Sequence, residues 1–513
     1  MFETAAGSAT VPAYDRKIFL KIAAIAWWVL LSGYLVFNRP FATIGTHPLY
    51  IGEAILGLSL LALLVFKRSA FIEPLRRSWT FRFICAFLIY GLARAAWDYS
   101  FFGFYALRDS AIAYYAIAAF VAPALWSELS GPAVVRNETV SQAPVFRAAH
   151  WLLPTTILAA AWGFSILRGW APPEMIDGIK VDLMSAAVLI GAWVWGLRIA
   201  DCRLRIAALL ISLASLAVVL AYPVRTTWLA IGPLLVAGVA AFCWTRGRRI
   251  ALLSACLGLA LLAIPSVTKI ATAFARVDRD FGLKNTLAFS TQERELYLRD
   301  HPDHFTKMKL TYTPDTSAEG ARERLKALVV LDAREFKTES GQSAAYSTVW
   351  RATFWTRCVR YTLRNSPLTG IGFGFNLTNL LRFTAGWYLF VDSQRLDPPN
   401  RSPHCAHITV FTRMGLIGFA LWLSILISVG WGTLKRLWDC RQRYVTQKDS
   451  YARTEFYATL AIFGVWVVFL WSMSFGVILE GPMGGMWFWG LTGALAHGES
   501  GVWKSGVWSQ QQR

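Results

Sequence analysis

Apolar stretches of near-bilayer length recur along this chain, separated by short polar intervals rich in Arg and Lys. They run Ile18 to Phe37, Leu49 to Phe66, Thr80 to Trp97 and Asp109 to Trp126. Next come Phe146 to Leu167, Val181 to Ala200, Leu204 to Tyr222, Trp228 to Trp244 and Ile250 to Val267. After a long polar interval, Ala406 to Trp431, Thr454 to Leu479 and Pro482 to His497 complete the series. A spanning helix needs roughly 20 mainly apolar residues, so the pattern predicts about twelve transmembrane helices. The expected fold class is therefore all-α: a polytopic integral membrane protein with one large loop that contains short helices. The chain divides into 1–267 with the first nine helices, 268–405 as the large loop, 406–497 with the last three helices, and 498–513 as a tail.

Composition sharpens this picture. Of the 513 residues 55% are hydrophobic, with 24 Trp and 33 Phe, and the mean hydropathy is +0.42, which excludes an ordinary soluble domain. Basic residues cluster at alternate helix ends. Arg16 and Lys17, Lys67 to Arg77, Arg198 to Arg205, Arg246 to Arg249, and Lys435 to Lys448 all fall on one side. Cytoplasmic loops carry such excesses, so both termini and the 498–513 tail are expected in the cytoplasm. The net charge of +20 is then a signature of topology, and no nucleic-acid partner is expected. The first apolar run lacks a small-residue cleavage site and reads as a retained signal anchor. The seven Cys are dispersed without metal-ligand spacing, and nothing in that spacing argues for a disulfide between Cys358 and Cys405.

The interval Thr268 to Cys405 is too long for a plain connection, and the charge alternation places it outside the cytoplasm. Its first part mixes charges of both signs with scattered Leu, Phe and Tyr, as a small helical insertion would. Its second part, YSTVWRATFWTRCVRYTLRNSPLTGIGFGFN, reads as an amphipathic helix on the membrane surface. Val349, Thr353, Phe354, Trp355, Val359, Tyr361 and Leu363 form the expected apolar face, with Arg351, Arg357, Arg360 and Arg364 projecting elsewhere. The helix is expected to stop before Pro367. Gly370, Gly372 and Gly374 then supply a tight turn. A nucleotide-binding loop is excluded because no buried strand precedes the turn and no helix start follows it. A structural turn is the simpler reading, although backbone amides in such a turn can cradle a phosphate.

These residues, followed by SPHCAHITVFTRMGLIGFALWL at Ser402 to Leu423, resemble the O-antigen ligase and O-antigen polymerase (Wzy-type) superfamily of bacterial membrane glycosyltransferases. YPVRTTWLA at Tyr222 to Ala230 resembles that family's Arg-bearing segment between two central helices. The resemblance covers roughly Arg198 to His497 and not the insertion around Thr286 to Ser340. It implies a multi-pass protein of the bacterial inner (cytoplasmic) membrane, whose large loop is periplasmic. It also implies transfer of a glycan from a polyprenyl-diphosphate carrier to a sugar hydroxyl. The family's His stands eleven residues before the Gly of GLIG, which from Gly415 selects His404 as catalytic. Its two diphosphate-binding arginines map onto Arg225 and Arg351, with Arg357 and Arg360 close to the second. Cys405 replaces the usual Asn, Arg413 stands where an acidic residue is common, and His407 fills a usually apolar position. Implied partners are the lipid-diphosphate-linked glycan donor, a glycan or lipid-core acceptor, the lipid bilayer and other polysaccharide assembly proteins.

The residue types suit that chemistry. A guanidinium keeps its charge and offers paired donors to phosphate oxygens, so Arg225 and Arg351 can clamp a diphosphate leaving group. With charge supplied this way no metal and no cofactor is expected, and no acidic cluster shows metal-ligand spacing. A histidine can accept the acceptor's hydroxyl proton near neutrality. Simpler roles stay open: Arg225 snorkelling to the interface, Arg351 on a solvated face, His404 capping a helix. His407 shares a helical face with His404 and is a further candidate. Arg94 within the third span, and Arg108 with Asp109 at the start of the fourth, are candidates too, for which a structural Arg–Asp pair is the simpler reading. The alternative function is a non-enzymatic transporter or export subunit for lipid-linked glycans.

Overall fold

The computed structural model describes residues 13–46, 49–129, 351, 354–375, 377, 402–474, 476 and 479–497. These residues are mostly helical. The five apolar runs between Phe146 and Val267, the insertion near 286–340 and Arg225 lie outside them. In chain order the elements are α1 (Ala13–Ala42), a two-stranded hairpin of β1 (Gly45–Thr46) and β2 (Leu49–Tyr50), α2 (Ile51–Phe66), α3 (Ser69–Arg77), α4 (Trp79–Phe102) and α5 (Phe104–Asp109). Then follow α6 (Ala111–Tyr114), a 3-10 turn (Tyr115–Ile117) and α7 (Ala118–Leu129). The series ends with α8 (354–365), α9 (Ala406–Gln447), α10 (Ser450–Met473) and α11 (Pro482–His497).

Five segments among the described residues are long and apolar enough to cross a membrane: Arg16–Tyr34, Trp79–Phe102, Ala111–Glu128, Ala406–Gln447 and Glu455–Met473. A sixth arises if α2 and α3, bent by 86° at Lys67–Arg68, form one broken span. The expected run from Asp109 starts at Ala111, because Asp109 closes the preceding short helix α5. The run expected to end at Trp431 stays helical to Gln447. Hydropathy falls there but helical periodicity persists: Leu437 and Cys440 face inward, and Arg436 and Arg443 both reach Glu455 on α10, at 2.8 and 3.0 Å.

Two compact units are present, and neither is continuous in sequence. The first takes Met1–Ala93, Ser110–Thr245 and Ala420–Arg513; the second takes Arg94–Asp109 and Arg246–Phe419. In the first, α11 packs along α7, and α1 packs on α2 and α7. The sequence GMWFWGLTGAL explains the closeness of α11 to α7. A side chain at Gly493 would begin 1.9 Å from the Ala119 carbonyl oxygen, and one at Gly490 would meet Ala122 at 3.1 Å. Small residues thus let two backbones touch, as helix pairs in lipid require. Around that seam Trp422, Trp466, Phe87, Phe488 and Trp489 stack edge and face into one aromatic core. Trp466 Nε1 donates to Thr492 Oγ1 at 2.9 Å, so its polar edge is satisfied inside this apolar layer.

Candidate functional site

Within the second unit, α8 buries Phe354, Arg357, Cys358 and Thr362, a run at three- and four-residue intervals that defines one helical face. The expected phase is therefore corrected at Arg357. Its guanidinium is on the buried side, only 5% exposed, whereas Leu363, assigned to the apolar face, is half-exposed. Arg360 is half-buried and Arg364 exposed. Burial lowers the Arg357 pKa to about 10, only partly opposed by Cys358. The helix ends at 365, and Ser366-Pro367 leads into the glycine turn, as Pro requires.

The turn does not stand alone. It fills a break in α9 at Gly415, whose φ of 64° and ψ of −162° are not helical. A broken helix orphans amides and carbonyls on either side of the break. Here the turn satisfies them in both directions. Ile371 and Gly372 N–H donate to the Thr412 and Arg413 carbonyls at 2.8 and 3.2 Å, while Leu416 and Ile417 N–H donate to the Pro367 and Leu368 carbonyls at 2.8 and 3.1 Å. The exchange needs bare backbone on both partners. A Cβ at Gly370 would lie 2.5 Å from the Arg413 carbonyl carbon, and one at Gly415 would lie 2.4 Å from Gly370 N.

Two carboxylates complete the turn. Phe373 N–H donates to Asp98 Oδ2 at 2.6 Å, and Gly374 N–H to Asp109 Oδ2 at 3.1 Å. Asp98 is also held by Arg94 Nε at 3.0 Å, one helical turn earlier on α4. Asp109 is paired with Arg413, not with its neighbour Arg108, which is exposed. Arg413 is 2% exposed; its Nη2 meets Asp109 Oδ2 at 2.8 Å, and its Nη1 donates to the Gly372 and Phe375 carbonyls at 3.1 and 2.6 Å. Carboxylates of the protein itself thus occupy amides that sequence alone leaves open to a phosphate.

These bonds set the direction of two helices. The C-terminal end of α8 runs into the turn docked at residues 412–417, while Trp355, in the first turn of α8, donates its indole N–H to the Pro403 carbonyl at 2.5 Å. Hence α8 and the first arm of α9 (406–414) lie side by side and point the same way. Arg351 and His404 meet at their shared N-terminal end. His404 has φ +55°, an uncommon conformation for a residue with a side chain, and its N–H donates to Ser402 Oγ at 3.2 Å. Burial pushes the imidazole pKa down to about 4, with the nearby Arg351 charge adding to the effect, so the ring is neutral near pH 7. The Arg351 guanidinium is likewise lowered by burial, and its Nε is buried without a hydrogen-bond partner. Cys358 and Cys405 are both buried thiols. His407, half-buried, sits in the first turn of α9.

The structure therefore brings together Arg351 and His404, and holds Arg357 and Arg360 on α8. It places Arg108 at the end of α5 with its side chain exposed. Sequence reasoning missed Asp98, the partner of Arg94, and the Arg413–Asp109 pair. The signals were present: Arg94 and Asp98 stand four apart within an apolar run, and Arg413 is a charge inside another. Compared with protein-family models and with curated proteins, the chain finds no match in either.

Proposed function

We propose that this protein is a membrane glycosyltransferase that moves a glycan from a polyprenyl-diphosphate carrier to a sugar hydroxyl at the outer face of the bacterial cytoplasmic membrane, in the manner of O-antigen ligases and polymerases. The observation that carries this reading is the meeting of Arg351 and His404. A half-buried arginine whose Nε–H is buried and unpartnered stands beside a histidine that burial keeps neutral. An unsatisfied buried donor is costly in a resting protein and is relieved when an anion arrives. Arg351, joined by Arg225, holds the diphosphate and offsets the charge that grows as the glycosidic bond breaks. His404 accepts the hydroxyl proton while the acceptor oxygen bonds to the anomeric carbon; the diphosphate leaves with the bonding electron pair. A base with pKa near 4 is weak, so it works in concert with the departing group and not ahead of it.

Incubating the purified protein in lipid with a polyprenyl-diphosphate glycan and a panel of acceptor glycans tests the proposal. A new glycosidic product, absent with Arg351→Ala, is expected. Movement of the lipid-linked glycan across vesicles without any such product would replace the enzyme by a transporter.

A further inference from the structure

The pair formed by Asp109 and Arg413 stands away from the Arg351–His404 end of α8 and α9, and the mechanism above gives it no chemical task. It is nonetheless an expensive feature, with side chains 8% and 2% exposed. Withdrawing both charges from water offsets most of their attraction, so stability alone is a poor reason for such a pair, and an apolar pair would serve as well. Its geometry gives a better reason. The planar fork of Arg413 engages three acceptors at once, the Asp109 carboxylate and the carbonyls of Gly372 and Phe375. Asp109 in turn accepts from the Gly374 N–H. One ion pair therefore grips the glycine turn on both sides of Phe373.

We propose that Asp109 and Arg413 are positioning residues: by locking the glycine turn into the break at Gly415, they set the register between α8 and the first arm of α9, and so the placement of His404 against Arg351. This rests on the reading that those two residues act together on one substrate. The turn leads back directly into α8, whose first turn carries Trp355 and, just before it, Arg351. Arg413 belongs to the same arm of α9 that His404 precedes. A slip of one residue at the grip shifts one helix by about 1.5 Å and turns it by about 100° against the other. Misplacement of about 1 Å costs on the order of 10²-fold in rate where geometry carries the catalysis.

The test uses the full-length protein in lipid, with Asp109→Asn, Arg413→Met and the conservative Asp109→Glu. Peptide-level maleimide labelling follows Cys405, the neighbour of His404, against Cys440, which is buried in the first unit. In Asp109→Asn and Arg413→Met, Cys405 is expected to label at least about tenfold faster while Cys440 is unchanged, which shows that the rest of the protein stays folded. The transfer kcat is expected to fall by about 10²-fold with the donor KM nearly constant, as loss of orientation requires. Asp109→Glu should recover most of both. Unchanged Cys405 labelling overturns the proposal, and so does faster labelling with a normal kcat. If the wild-type protein transfers no glycan, the proposed reaction fails by itself, and Cys405 labelling still decides whether the latch places the His404 segment.

Discussion

Glycine brings backbones into contact in both units, with different results. Along α11, Gly485, Gly490 and Gly493 sit in an unbroken helix, and their bareness lets Tyr115 of the 3-10 turn approach the first and α7 the other two. At the Gly370–Gly415 contact the glycines have positive φ, the helix is broken, and the backbone bonds are exchanged between segments under the grip of buried charges. The first arrangement gains from dispersion between two helix faces. The second fixes direction and register, and it does so for the two segments that carry Arg351 and His404 at their other end. Close packing alone thus marks a scaffold; close packing joined to rare backbone conformation and buried charge marks a place where geometry is in use.

The sharpest way to break this comparison is to add one methyl group to each contact. Gly493→Ala places a carbon within van der Waals overlap of the Ala119 carbonyl oxygen, so folded yield and thermal stability should drop, with activity per folded molecule preserved. Gly415→Ala meets backbone on two sides and must also adopt φ +64°. Its transfer activity should fall below detection while the midpoint of thermal unfolding changes less than for Gly493→Ala. Equal loss of stability and normal transfer in Gly415→Ala would erase the distinction. Gly490→Ala, which meets only side chains, Ala122 at 3.1 Å and Trp126 at 3.5 Å, is the mild control.

Next in size is the diphosphate clamp. Arg351→Ala and Arg225→Ala are each expected to lose about 10²- to 10³-fold in transfer, as removal of a preorganised charge donor does. The thermal unfolding midpoint should not fall for Arg351→Ala, because its buried Nε has no partner to lose. Lys at either position should recover little, since a point charge does not reproduce the paired donors. Normal product from either alanine variant at normal expression would take that arginine out of the mechanism.

Among the described residues, much of the helical framework was legible from hydropathy. The α11 boundaries match the apolar run residue for residue, and α9 begins at Ala406 as expected. Its end was misjudged because the sequence signal for crossing lipid fades at Trp431, whereas the helix continues on side contacts to α10 that no local window contains. At the site, the resemblance pointed to Arg225, Arg351 and His404; the structure sets the last two near each other, and Arg225 lies outside the described residues. The break at Gly415 was not legible. Its orphaned groups are satisfied by a turn far away in sequence, and Gly within an apolar helical run reads as packing. Arg357 was misassigned for a different reason: a charge was taken as a mark of the exposed face, although the 354–358–362 period already placed residue 357 inward. The Asp109 partner was sought next door at Arg108, since only the fold brings Arg413 to it.

A smaller and more local effect separates the two histidines. His404→Ala should reduce transfer by about 10²-fold or more, as expected for loss of a proton acceptor. His407→Phe should keep most activity, because His407 lies inside the first turn of α9 while His404 precedes it beside Arg351. Matched assays in which His407 proved essential and His404 dispensable would move the base assignment by one helical turn.

The smallest expected effect is a pH dependence of stability confined to the His404 end of the site. In the folded protein burial, and then the Arg351 charge, hold the His404 pKa near 4, against an ordinary value of 6.5 in the unfolded chain. Above pH 6.5 the ring is neutral in both states, and His404 adds no pH dependence. As pH falls below 6.5, the unfolded chain takes up a proton that the folded protein refuses. Stability is therefore fully present above 6.5 and is lost progressively as pH falls to about 4, where the folded ring is itself protonated. The full depression corresponds to a few kcal/mol, roughly 1.4 kcal/mol for each pH unit of difference between the states. Thermal unfolding of wild type and His404→Gln in the same lipid, between pH 7.5 and pH 4.5, isolates this contribution from every other titrating group. The wild-type midpoint should fall by several °C more than that of the variant over this window, at about 2–4 °C per kcal/mol for a domain of this size. The difference should shrink when Arg351→Ala is added to both, because one of the two causes is then removed. Parallel pH profiles for wild type and His404→Gln would mean that the imidazole is hydrated in solution and that the two ends of α8 and α9 are not closed against each other as the Trp355–Pro403 bond requires.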